Sequence, residues 1–236
     1  MTAAAGMHQV RNLAKAMILT PNTVRYAVEL PRIDEALDRI GPVETLLDAG
    51  AGGGHYSEIS YARRCAKLYA VENDANNCAL LTRAFSAMGG KATAIRGSIL
   101  DIGLSDGSVD CVTCTQVLEH VADHEEAVGE FGRLLRKGGF LLITVPRPPP
   151  PWKELEHVRD GYTLENLNAL VLPRGFELVH TDYCLTTATQ RIMKIVQACR
   201  GYFPRVLPFR ELTMTTEERR ASNPYVLLCL FRKGHD

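Results

Sequence analysis

The segment Leu46-Leu47-Asp48-Ala49-Gly50-Ala51-Gly52-Gly53-Gly54 joins a short apolar run, an acid and a cluster of glycines. Glycine lets the backbone come close to a ligand, and a helix that starts after such a loop turns its free N–H groups outward. A dinucleotide fingerprint would place its third glycine at position 55, which is His55, and no lysine follows Gly54 as a phosphate-binding loop requires. Asp48 would repel a pyrophosphate and suits a positive group instead. Eighteen residues after Gly54, a second apolar run ends in Val71-Glu72. An acid at a strand tip can accept both hydroxyls of a ribose. The pattern asks for a ligand with a ribose, a cationic tail and no phosphate.

Two histidines are candidates for proton transfer. His120 follows the fourth apolar run, and His157 follows the fifth. In an open α/β sheet both would lie on the edge where ligands bind, and imidazole titrates near neutrality as a general base must. Glu119, His120, Asp123, His124, Glu125 and Glu126 form a dense set of possible metal ligands. Asp123 and Glu126 are accounted for as a capping box, with His124 and Glu125 in a solvated first helical turn, so no metal is expected. Cys111 and Cys114 lie in one strand, and no second cysteine pair completes a zinc site. They read as core.

The elements that must position these groups are legible from periodicity. Strand-like runs cover 45–49, 67–72, 92–96, 109–114, 140–145, 176–184 and 225–231. Helical patterns lie between them at 54–64, 74–88, 123–136, 164–172 and 188–202. This alternation predicts an α/β fold, a mostly parallel seven-stranded sheet with helices on both faces. An N-terminal helical region, broken near Pro31, precedes the first strand. Pro148–Pro151 reads as an extended polyproline II connector, and Thr163 as the cap of the helix after it.

Composition narrows the class. Of 236 residues, 46% are hydrophobic and 23% charged, which is ordinary globular usage and excludes disorder. Lys+Arg and Asp+Glu are 27 each, so no global field attracts nucleic acid. Seven scattered cysteines argue against a disulfide framework, and no secretory signal or membrane span is legible. A cytoplasmic location is the expectation. From Tyr183 to Arg210 there is no acid, while Arg191, Lys194, Arg200, Arg205 and Arg210 are basic. Ile192, Ile195, Val196, Cys199 and Phe203 recur at helical spacing. The preferred reading packs this stripe on the sheet; contact of 188–210 with an anionic membrane or an acidic substrate is the alternative.

A ribose with a cationic tail and no phosphate describes S-adenosylmethionine (SAM). The segment Asp48-x-Gly50-x-Gly52-x-Gly54 resembles the first motif of the class I SAM-dependent methyltransferases, whose fold is Rossmann-like with an antiparallel last strand. Gly97–Asp101 with Ser105–Asp110, Gln116–Val121 and Arg133–Gly139 resemble further segments of the type 11 methyltransferase family. The resemblance implies that Asp48, Gly50, Ala51 and Gly52 hold the methionine part and Glu72 the ribose. Asn73, Ser98 and Ile99 would lie at the adenine, and Gln116 near the sulfonium. Where the family usually has an acid this chain has Ser98, a weaker acceptor for the adenine amino group.

The segment Glu156–Thr163 resembles the family's border of the acceptor pocket, which favours His157 over His120 as the catalytic base. One methyltransferase domain over 1–236 is expected, with a helical region at 1–42, a SAM-binding core at 43–146 and an acceptor-side part at 147–236. The acceptor is expected to be a small molecule, or a lipid or glycan precursor, and not a nucleic acid. A non-catalytic module that binds SAM or its product, S-adenosylhomocysteine (SAH), and a nicotinamide oxidoreductase are the alternatives.

Overall fold

Seven strands form where the apolar runs predicted them, in the computed structural model of the chain, which describes residues 21–151, 155–198 and 209–234. They are β1 (Val43–Ala49), β2 (Cys65–Glu72), β3 (Ala92–Arg96), β4 (Val109–Thr115), β5 (Leu135–Pro146), β6 (Phe176–Cys184) and β7 (Val226–Lys233). Their order in the one sheet is β3-β2-β1-β4-β5-β7-β6. β1 pairs in parallel with β2 and β4, β2 with β3 and β4 with β5, whereas β7 runs antiparallel to β5. The expected α/β Rossmann-like sheet with an antiparallel last strand is therefore observed.

Contacts divide the chain into two compact units, Arg32–Asp182 with Val226–Asp236, and Met1–Pro31 with Tyr183–Tyr225. In the larger unit all seven residues of β4 are buried, as a strand covered on both faces requires. Helix α1 (Pro21–Asp38) reaches this unit with Ile33, Ala36 and Leu37, which join the core with Leu46, Tyr61, Leu68, Leu81 and Phe85. Each such side chain stabilises the fold by about 1.5–3 kcal/mol relative to an exposed one. Helices α2 (His55–Ile59), α3 (Ala75–Phe85), α4 (His124–Leu134) and α5 (Leu164–Val171) follow the helical patterns. Asp74 caps α3 by accepting from the N–H groups of Asn76 and Asn77, and Thr163 caps α5 through Asn166 as expected.

Local expectations failed where proline or a tight turn intervenes. Pro31 does not break its helix: α1 runs through it, because the ring presets a helical φ and only one backbone hydrogen bond is forfeited. Pro148–Pro151 is not a continuous polyproline II segment but a series of bends with a cis Pro148–Pro149 bond. Helix 54–64 is split at Ser60 into α2 and a 3₁₀ turn, Tyr61–Arg63. Asp123 precedes α4 but its side chain forms no cap, since its backbone (φ −90°, ψ 56°) departs from the extended conformation that a capping residue adopts.

In the smaller unit, α6 (Thr187–Ala198) buries Thr189, Gln190, Met193 and Val196, while Ile195 is 46% exposed. The packed stripe is thus rotated from the expected one. Glu211, in α7 (Phe209–Thr213), accepts from the Thr186 N–H and from the Thr186 and Thr189 hydroxyls at the start of α6. This supplies the N-terminal acceptor that α6 needs. A capping box of Thr215 and Glu218 starts α8 (Thr216–Ala221). No described helix is long and apolar enough to cross a membrane. Residues 1–20 of the expected N-terminal helical region, and 199–208 of the basic stretch with Cys199, Arg200, Phe203 and Arg205, lie outside the described residues.

Candidate active site

The carboxyl ends of β1, β2, β4 and β5 bring most of the sequence-selected residues to one edge of the sheet. Asp48 stands next to the end of β1, paired in register with Thr113 of β4, and is 2% exposed. Its carboxylate accepts from the Ser57 hydroxyl at 2.5 Å and from the Thr113 hydroxyl at 3.4 Å. Burial outweighs these bonds and pushes its pKa up to about 7.

That shift has a sign that can be tested. The unfolded carboxyl loses its proton near 3.8 and the folded one near 7, so between these values the folded chain binds more protons. Asp48 therefore lowers stability as pH rises through this window. Relative to wild type, Asp48→Asn is expected to gain roughly 1.4 kcal/mol of stability per pH unit between about pH 5 and 7. Urea unfolding of both proteins at three pH values checks this, and a pH-independent difference would contradict it.

After Asp48 the chain turns sharply. Gly50 has φ +80°, and a Cβ there would meet Val117 at 2.5 Å, so only glycine permits this approach of the loop to the end of β4. The N–H groups of Gly50 and Ala51 bond to the Val71 carbonyl. The Gly52 N–H donates to Glu72 Oε2 at 2.8 Å, and the Asp74 N–H donates to Oε1 at 2.8 Å. The loop and the acid predicted to share a ligand are thus tied together. Asn73 is exposed just after β2; Ser98 is exposed after β3 and accepts from the Leu100 N–H at 3.1 Å, and Ile99 is buried.

Gln116, just past β4, is half-buried with φ +56°. A non-glycine residue in that region is held there by its surroundings. Its N–H donates to the Thr144 carbonyl at 2.9 Å and its Nε2 to the Thr144 hydroxyl at 3.2 Å.

The two histidines meet. Their rings are 4.7 Å apart and perpendicular, with His120 exposed and His157 half-buried. His120 Nδ1 lies 3.1 Å from the Glu156 carbonyl, and the Val158 N–H bonds to the Glu119 carbonyl. Arg159 fastens the segment, donating to the carbonyls of Leu118, Val121 and Ala122. Gly161, with φ +120°, allows the Tyr162 N–H to reach the Pro146 carbonyl at 2.8 Å; a Cβ would stand 2.2 Å from that oxygen.

Sequence reasoning missed several participants. Glu119 is buried in the 3₁₀ turn beside the two rings. His124, expected to face solvent, is half-buried with Nδ1 2.6 Å from the Tyr162 hydroxyl, and burial lowers its pKa. Ser57 and Thr113 as partners of Asp48 carried no signal of their own, because the strand register creates them. Cys111 and Cys114 are buried free thiols.

Comparison with known proteins places this geometry. Residues 47–143 match the sequence profile described as "Methyltransferase domain". The chain is 32% identical over 126 residues to a ubiquinone biosynthesis O-methyltransferase of Sodalis glossinidius, covering 51% of this chain and 50% of that protein. It is 31% identical to the enzyme of that name from Xanthomonas axonopodis, covering 66% and 63%. The chain thus spans about half to two thirds of the length of these relatives.

Among solved structures, an S-adenosylmethionine dependent methyltransferase from Mesorhizobium loti superposes with a TM-score of 0.62 at 16% identity, covering 89% of this chain and 100% of that one. The cyclase SpnF superposes with a TM-score of 0.65 at 17% identity, covering 87% and 81%. At such identities these likenesses speak for the fold alone. Sequence profile, relatives and fold agree: residues 47–143 match a methyltransferase domain, set in a fold that solved methyltransferases share.

Proposed function

We propose that the chain transfers the methyl group of SAM to a hydroxyl oxygen of a small molecule. The observation that carries this reading is the closure of the glycine loop on Glu72, with the Gly52 N–H on one carboxylate oxygen. The residues fit the cofactor. Each oxygen of Glu72 accepts one backbone N–H and keeps a lone pair, which suits two ribose hydroxyls. A Cβ at Gly52 or Gly53 would meet no atom within 4 Å, so the loop leaves open space along its outer side. Asp48, Gly50 and Ala51 border the methionine end, Gln116 the sulfonium, and Asn73, Ser98 and Ile99 the adenine.

Bound SAM supplies a methyl carbon already activated by its sulfonium. The protein's contribution is alignment and removal of a proton. His157 takes the acceptor's hydroxyl proton, and His120, fixed by the Glu156 carbonyl, lines the path beside it. Arg159 holds the His157 segment against the loop after β4, so the base is placed on a fastened element. The relatives' name, ubiquinone biosynthesis O-methyltransferase, supports oxygen as the target atom.

A panel of hydroxylated aromatics, aliphatic alcohols and amines with SAM carrying a labelled methyl group tests this. Label is expected in phenolic methyl ethers and absent from the amines. Tight SAH binding with no transfer to any hydroxyl would favour a non-catalytic module.

A further inference from the structure

Gln116 follows β4 in a conformation that a side-chain-bearing residue rarely adopts, φ +56°. Such a backbone persists only where its surroundings fix it, and it gathers at sites that bind or react. Two neighbours fix this one. Thr144 of β5 accepts twice, its carbonyl from the Gln116 N–H at 2.9 Å and its hydroxyl from Gln116 Nε2 at 3.2 Å. Val117, the next residue, packs so close to Gly50 that a Cβ there would stand 2.5 Å from Val117 Cγ2. The turn after β4 is thus tied both to the sheet and to the glycine loop. Thr144 is fully buried, and β5 is paired on both sides, with Thr115 of β4 and Leu228 of β7 opposite Thr144. Its hydroxyl is a fixed post.

An amide has a nitrogen end that donates and an oxygen end that accepts, so the partner of the nitrogen decides where the oxygen faces. We infer that Thr144 is a positioning residue: by holding Gln116 Nε2 it turns the amide oxygen toward the sulfonium, and so lets the site favour charged SAM over uncharged SAH. The inference rests on the proposed place of Gln116 beside the sulfonium and adds the group that orients it. A carbonyl oxygen attracts a cation and gains little from a neutral thioether. Of the residues assigned above, Gln116 alone is placed at the sulfur. Glu72 is placed at the ribose, and Ser98 and Ile99 at the adenine, parts that SAM and SAH share. Asp48, at the methionine end, would meet an ammonium common to both.

When the methyl group passes to the acceptor, its bonding electron pair stays on sulfur, which becomes neutral. The Gln116 oxygen then loses the charge it faced, and the spent product is held less firmly for that reason. Without the Thr144 hydroxyl the amide is free to turn, and its nitrogen end would oppose the sulfonium instead.

Calorimetric titration of the whole chain with SAM and with SAH, in wild type and in Thr144→Val, is the test; it needs no acceptor. Thr144→Val keeps the shape of the side chain and removes its hydroxyl. SAM affinity is expected to fall about fivefold to tenfold while SAH affinity stays within about twofold of its original value. Thr144→Ser, which returns the hydroxyl, should restore most of the loss. Gln116→Glu should act in the opposite sense, raising the preference for SAM over SAH, because it sets a charged oxygen where the amide oxygen stood. Equal losses for both ligands in Thr144→Val would overturn the inference and leave Thr144 a structural residue. Unchanged affinities for both would overturn it too. If Thr144→Val does not fold, Gln116→Glu decides, and a preference that does not rise overturns the inference. Wild type binding neither ligand would discard the cofactor site itself, and this inference with it.

Discussion

His157→Ala is expected to lower the turnover rate by about 10²–10⁴-fold, the usual contribution of a general base, while SAM affinity stays near its original value. The separation follows from position. His157 lies on the segment after β5, fastened by Arg159 and Gly161, whereas the cofactor-side groups sit on the loops after β1 and β2. Removing the imidazole leaves those loops and their hydrogen bonds intact. His120→Ala should act mainly on apparent affinity for the acceptor, because His120 is exposed and its Nδ1 is engaged by the Glu156 carbonyl. Steady-state kinetics on both variants decides the matter. A fully active His157→Ala beside a dead His120→Ala reverses the assignment. Full activity in both would mean that the acceptor is nucleophilic without help.

The second large effect belongs to Glu72. If both ribose hydroxyls bond to its carboxylate, Glu72→Ala removes two charge-assisted bonds worth about 1.5–3 kcal/mol each. It also releases the Gly52 and Asp74 N–H groups that the carboxylate now accepts. Part of the loss is offset when water and a relaxed loop satisfy those donors. A fall of at least tenfold in SAM affinity is expected, with an unchanged far-ultraviolet circular dichroism spectrum. Ser98→Asp should keep or improve affinity, since it adds a charged acceptor where Ser98 is exposed beyond β3.

What could be read before folding was set by short-range chemistry. The strand-to-loop segment Leu46–Gly54 and the tip at Glu72 were legible because branched apolar runs, glycines and terminal acids carry their meaning locally. Their joining through the Gly52 N–H follows from the parallel pairing of β1 with β2. Asp48 was recognised, but its raised pKa was not, because it comes from burial under partners that only the β1–β4 register assembles. Glu119 was hidden among the acids and histidines of 119–126, where spacing suggests a solvated helix start. It is buried instead because a 3₁₀ turn folds it inward, next to a loop whose carbonyls Arg159 fastens from about forty residues away. Pro31 misled in the opposite direction, as a proline tolerated within a helix.

The central claim is that the loop after β1 and the acid ending β2 form a site for SAM. Calorimetric titration of the wild-type chain and of Glu72→Ala with SAH and with NAD tests it most directly. The account predicts one SAH bound per wild-type chain, at least tenfold weaker binding to Glu72→Ala, and no heat with NAD. At SAH concentrations about 100 times the dissociation constant, the wild-type fold should also gain about 2.7 kcal/mol of stability. Binding of NAD without SAH, or SAH affinity unaltered by Glu72→Ala, would contradict it.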